Sequence, residues 1–135
     1  MKNLITVLAC LTLLLVFVMQ FTNNQITHMN LSNAQKHIEI FENGIKKEGC
    51  VTEKNKNDLK NKLVSNLNCD IKDIIIEGDT TPKFIGSIVN YKITFPVNNL
   101  IASAKVLGIS NEANSSNISI DDRTISQLVD RSKSW

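Results

Sequence analysis

The chain has 135 residues, a formal net charge of +2 and only 5% aromatic residues. That length holds one domain with a modest core. The near balance of charge argues against the strong basic patch of a nucleic-acid binder, and so few aromatics leave little for base-stacking surfaces or aromatic ligand cages.

Met1-Lys2-Asn3 precede an apolar run, LITVLACLTLLLVFVMQF, at residues 4–21, with no charged side chain inside it. As a helix those residues rise about 27 Å, close to the ~30 Å hydrocarbon core of a bilayer. Lys2 and the α-amino group are the positive charges ahead of the run, and no further lysine follows until Lys36. This asymmetry predicts a cytoplasmic N-terminus and an outward C-terminal side. Two other readings compete. A cleaved signal peptide needs small residues before the cut, which Met19-Gln20-Phe21 and Thr22-Asn23-Asn24 do not supply. A lipoprotein reading rests on Val7-Leu8-Ala9-Cys10, but most of the apolar run follows that cysteine instead of preceding it. The expectation is an uncleaved anchor over residues 1–24, with Cys10 as a small apolar side chain in the helix.

The helix is expected to continue past the membrane surface. Leu31, Ala34, Ile38, Phe41 and Ile45 recur at steps of three and four, so they share one helical face. One helix is predicted from about residue 3 to 47, with Gly49 as its stop. Thr52 is a suitable N-cap for a second helix over about 53–67, whose Leu59, Leu63 and Leu67, with Val64 beside them, make an apolar face. Then the period changes. IKDIIIE at 71–77 reads as a strand, and Pro82 lies in the connection that follows. Residues 85–95 alternate, with Val89, Tyr91, Ile93 and Phe95 on one side, and Pro96 is expected to end ladder pairing. Residues 99–107 are read as a short helix, 108–116 as a polar loop, 117–127 as a third strand, and the tail as frayed. The fold class is therefore α+β: a long N-terminal helix with a transmembrane lower half and an amphipathic upper half, a second helix, and a small antiparallel sheet of about three strands. Residues 25–135 form an extracytoplasmic domain that shares the N-terminal helix with the anchor.

Chemistry-bearing patterns are sparse. If the domain is exported, Cys50 and Cys69 could close a loop of about 20 residues and stabilise it by roughly 3 kcal/mol; the alternative is two reduced thiols, one or both buried. His28 and His37 lack partners at metal spacing, Asp121-Asp122 reads as a turn or strand edge, and the lysines of KNKNDLKNK at 54–62 form the wet face of the second helix. No nucleophile elbow or phosphate loop occurs, so neither an enzyme activity, a cofactor nor a small-molecule substrate is expected. The N-x-S sequences at Asn30, Asn114 and Asn117 are attributed to chance in an asparagine-rich chain.

Four features carry a family resemblance. An apolar helix at the extreme N-terminus runs on into an amphipathic one. EGCVTE at 48–53 opens the second helix, IIIEGDTTP at 74–82 makes a strand and turn, and GSIVNYKITFPV at 86–97 makes an alternating strand. In this order of elements the chain resembles the TadE-like minor pilins, pseudopilin-type proteins of Tad-like type IV pili and related secretion machines of Gram-positive bacteria. The resemblance implies a structural subunit held in the cell membrane or a surface filament. Its partners would be the bilayer and other pilin-like subunits or envelope assembly proteins. The stripe Leu31, Ala34, Ile38, Phe41 and Ile45 would then serve packing and assembly. The competing expectation is a membrane-tethered binding or accessory protein of an envelope complex whose helix never leaves the bilayer.

Overall fold

A computed structural model describes residues 1–98, 100, 108–110 and 112–129. The first element, α1, spans Lys2–Glu48 without interruption. It holds no proline and its one glycine is Gly44, so no backbone breaker precedes its end. Gly49 ends it in the left-handed region at φ 72°, and its N–H donates to the Ile45 carbonyl at 2.7 Å. Lys46 and Lys47 lie in the last turn, where the helix dipole favours cations.

A four-residue connection turns the chain into α2, Glu53–Leu67. The Thr52 side chain accepts the Asn55 N–H at 3.3 Å, supplying the cap that the sequence predicts. Glu48 ties the two helices at this corner: its carboxylate accepts from the Thr52 hydroxyl at 3.0 Å and from the Asn55 amide at 2.8 Å. At the other end of α2, the Asn66 amide donates to the Asn30 carbonyl at 2.9 Å, so the helix runs back along α1.

A 3-10 turn at Ile71–Asp73 leads into β1, Ile75–Gly78, followed by β2, Ile88–Asn98, and β3, Ser115–Ile125. The sheet order is β1-β2-β3, antiparallel throughout. One register, with Ile93 opposite Ile120 and Phe95 opposite Ile118, holds along the whole β2–β3 ladder. Val89, Tyr91, Ile93, Phe95 and Val97 face inward from β2, meeting Ala34, Ile38, Phe41 and Ile45 of α1 and Leu59 and Leu63 of α2 in one core. Phe41 and Tyr91 meet edge to face, with ring centroids 5.9 Å apart and planes at 83°. The α+β architecture expected from the sequence is present.

Three expectations need correction, and the open choice at the cysteines falls on the free thiols. Residues 71–77 are not one strand: the 3-10 turn occupies the first half and pairing begins at Ile75. β2 starts later than expected, at Ile88, and runs through Pro96 to Asn98. The reason is directional. Asn90 uses both its N–H and its C=O on the β1 side, where Asp79 bonds them. Alternation puts the Pro96 nitrogen on that same side, yet β1 reaches only as far as Thr94. No ladder donor is therefore missing at Pro96, which sits on an edge there. β3 begins at Ser115, inside the expected loop, and ends at Ile125. Finally, Cys50 and Cys69 are separate buried thiols. They flank α2, whose 15 residues rise about 22 Å, whereas a disulfide holds Cα atoms within about 7 Å. The short helix expected over 99–107 and the frayed tail fall largely outside the described residues.

Candidate functional site

The surface of α1 carries the strongest candidate for function, because its two halves meet different surroundings. From Leu4 to Phe21 its apolar side chains are open: Leu8 is 62% and Phe17 73% exposed. The most apolar 18-residue window has a mean hydropathy of 2.6 and none of it is buried. α1 is thus long and apolar enough to cross a membrane once. Further up, Ala34, Ile38, Phe41 and Ile45 are buried under α2 and the sheet. Leu31, the lowest residue of the stripe, is half-buried against the same core.

Between the two halves lies a polar junction. Gln20 and Asn23 donate to the Leu100 carbonyl at 3.1 and 3.4 Å, while the Leu100 N–H donates to the Asn114 carbonyl at 3.2 Å. Above it, Asn24, Thr27, His28, Leu31, Ser32, Gln35 and Leu100 line an open groove of about 480 Å³. Leu100 was legible only as one apolar residue in a short segment. Nothing local in the sequence signalled that it returns to α1 some 80 positions away.

At the opposite end of the head, Asp79 organises a clasp that sequence reading missed. Its N–H donates to the Asn90 carbonyl, and its own carbonyl accepts from the Val51 N–H at 2.8 Å. Its carboxylate takes the Asn90 N–H at 3.0 Å and the Lys83 ammonium at 2.7 Å. Lys83 also donates to the Ile88 carbonyl, and its backbone bridges the Gly49 carbonyl and the Ser126 hydroxyl. These bonds hold the Asp79 carboxyl below its ordinary range, the Asn90 N–H first and Lys83 second. The i,i+4 spacing of Asp79 and Lys83 around Pro82 was the available signal. The clasp joins the end of α1 to the sheet and to the strand that leaves it, which is a structural task.

The remaining candidates offer no chemical constellation. Burial raises the Cys50 and Cys69 thiols, with Glu48 and Asp73 adding to the effect, so both favour the neutral, unreactive form. His28 is exposed, and His37 has a buried Nδ1 without a hydrogen-bond partner beside Phe41 and Leu59. Among the described residues no group of three His, Cys, Asp or Glu side chains is placed to hold a metal. Asp121 faces Lys92 across the ladder, which in turn faces Glu77, forming a charged row on the outer side of the sheet. No family model, curated protein or solved structure matches the chain.

Proposed function

We propose that this protein is a pilin-like structural subunit of a type IV or Tad-like pilus or a related secretion or conjugation apparatus. The observation that carries the reading is the division of α1. One unbroken helix presents an apolar lower half on all sides and an upper half covered by a small α+β head. Such a helix can sit in a bilayer as an anchor, with every backbone group bonded internally. The same surface can pack against the helices of neighbouring copies in a filament, leaving the heads outside. In this reading the N-terminus is cytoplasmic and the head lies outside the membrane.

A second reading has its own support. The first acidic residue is Glu39, so the N-terminal part of the apolar helix carries none of the acid found near the start of mature pilins. This favours a membrane-tethered accessory protein whose helix stays in the bilayer.

Two measurements separate the readings. Mechanical shearing of cells should release a pilin-like subunit in filaments and leave a tethered protein in the membrane fraction, while N-terminal sequencing shows whether the apolar helix has been processed. External protease on wall-stripped cells should digest the head, and complete protection would overturn the outward orientation in both readings. Leu31→Asp bears on assembly directly. Leu31 is half-buried at the edge of the core, so melting of the head is measured beside assembly, and recovery in the native complex should fall by more than any loss of folded head. Normal recovery would remove Leu31 from the assembly surface.

A further inference from the structure

We infer that Leu100, at the foot of the head, inserts its side chain into the lipid interface on the head's side of the membrane and gives the protein a second lipid contact beside its anchor. The inference rests on the membrane-spanning reading of α1 and adds to it a defined depth for the head.

The argument is one of levels along α1. At the top, the Gln127 N–H donates to the Lys46 carbonyl, and the Ser126 N–H donates to the Ser87 carbonyl beside the start of β2. β2 then descends from Ile88 to Asn98, about 34 Å at the usual strand rise. Descending α1 from Lys46 to Asn23 covers about 34 Å at the helical rise. The two rulers agree, and the junction shows where they meet: Gln20 and Asn23 hold the Leu100 carbonyl.

That level is also where the apolar run ends. Residues 4–21 rise about 27 Å as a helix and need nearly the whole hydrocarbon core, so the lipid boundary falls close to Gln20–Asn23. Leu100 shares this level. Its N–H and C=O are both bonded within the protein, so lowering it into the interface exposes no backbone group of its own to lipid. The residue remains 36% exposed, at the foot of the groove it lines with Asn24 and Thr27. On α1, no acid, lysine or arginine occurs from Asn3 to Gln35, so no charge on the helix resists this depth. Interfacial apolar groups sit about 5–10 Å into the headgroup and acyl boundary, the zone that Leu100 reaches.

The test uses the full chain reconstituted in phosphatidylcholine vesicles, with the native tryptophan removed by Trp135→Phe. Single tryptophans are then placed by Leu100→Trp, by Phe17→Trp within the apolar run, and by Phe84→Trp at the far end of the head. Lipids brominated on their acyl chains should quench the Phe17 probe strongly and the Leu100 probe at least about twofold more than the Phe84 probe, as an interfacial depth requires. Equal quenching at Leu100 and Phe84, with Phe17 quenched, would overturn the inference and leave the spanning reading standing. An unquenched Phe17 probe would remove the spanning reading and the inference with it. A substitution-free measurement guards against misfolding: a diazirine carried on a lipid acyl chain should label the Leu100 peptide of the unaltered protein. Absence of that label, with the apolar run labelled, would also overturn the inference.

Discussion

Two phenylalanines on the same helix face opposite fates. Phe17 is 73% exposed and Phe41 is 4% exposed, although both belong to α1 and neither is near a helix end. The difference lies in what surrounds each residue in sequence. Around Phe17 every face is apolar, so no head of this size could cover the helix, and a bilayer or a bundle of copies suits it best. Around Phe41 the apolar residues fall mainly on one face, with Glu39, Glu42 and Asn43 on the others and Ile40 left 56% exposed, and one layer of α2 and sheet suffices to bury that face. Hydrophobicity alone does not specify burial within the chain. The angular distribution of apolar side chains does.

The sharpest way to break this comparison is to empty both aromatic sites. Phe41→Ala should destabilise the head by about 3–5 kcal/mol, the usual cost of a buried aromatic cavity, whereas Phe17→Ala should leave denaturation of the head in detergent micelles unchanged. Equal effects would mean that the two halves of α1 share one core. Next in size is a charge in the lower half. Leu13→Lys should cost membrane insertion about 2.5–3.5 kcal/mol near mid-span, seen as loss from the membrane fraction, with the melting of the head unaltered. The third comparison concerns two glycines of positive φ. Gly49 has φ 72° and a Cβ there would collide with the Lys83 carbonyl, while Gly86 has φ 87° and open space around it. Gly49→Ala should therefore cost about 2–4 kcal/mol, strain plus overpacking, against about 1–2 kcal/mol for Gly86→Ala from strain alone. Equal melting shifts would show that the Gly49–Lys83 approach relaxes freely.

Helical periodicity was legible because each signal is local. The bounds of α2 follow from Thr52 as cap and the leucine spacing, and α1 follows from the stripe ending at Ile45 and the stop at Gly49. The inward face of β2 was equally plain from its alternation. What sequence left hidden depends on direction and on distant partners. Pro96 reads as a strand breaker until the side on which its nitrogen points is known. The cysteine pair looked plausible by loop length, whereas in the folded chain α2 separates two free thiols. The contact of Leu100 with α1 and the bonds of Asp79 to Asn90 and Val51 could not be read locally, because they join residues brought together only by folding.

The smallest expected effect separates the two regions by pH. Among the described residues the titratable groups that packing perturbs, Cys50, Cys69, Asp79 and Tyr91, lie in the head, whereas α1 carries no acid, lysine or arginine from Asn3 to Gln35. Asp79 has a folded-state pKa depressed by the Asn90 N–H and Lys83. Its contribution is therefore present above the unfolded value, about 3.9, and is lost as pH falls through the folded value, because the unfolded chain takes up the proton first. Tyr91 behaves in the opposite sense. Burial, then the charges of Glu42 and Asp122, pushes its phenol up to about 12. The stabilisation from keeping it neutral is present below its ordinary value near 10 and is lost as pH rises through about 12. Melting midpoints of the head should thus fall at both extremes. Asp79→Asn should flatten the acid limb alone, since an amide oxygen can still accept the Asn90 N–H but no longer gains a proton. The ion pair with Lys83 is about one-third exposed, so the flattening should be small, within the ~0–1 kcal/mol of a solvated pair. Helicity of the lower half, followed through isotope-labelled residues 4–21 in micelles, should not change over the same acid range. A parallel loss there would show that the anchor and the head titrate as one unit, and that the division of α1 into two regions does not extend to their stability.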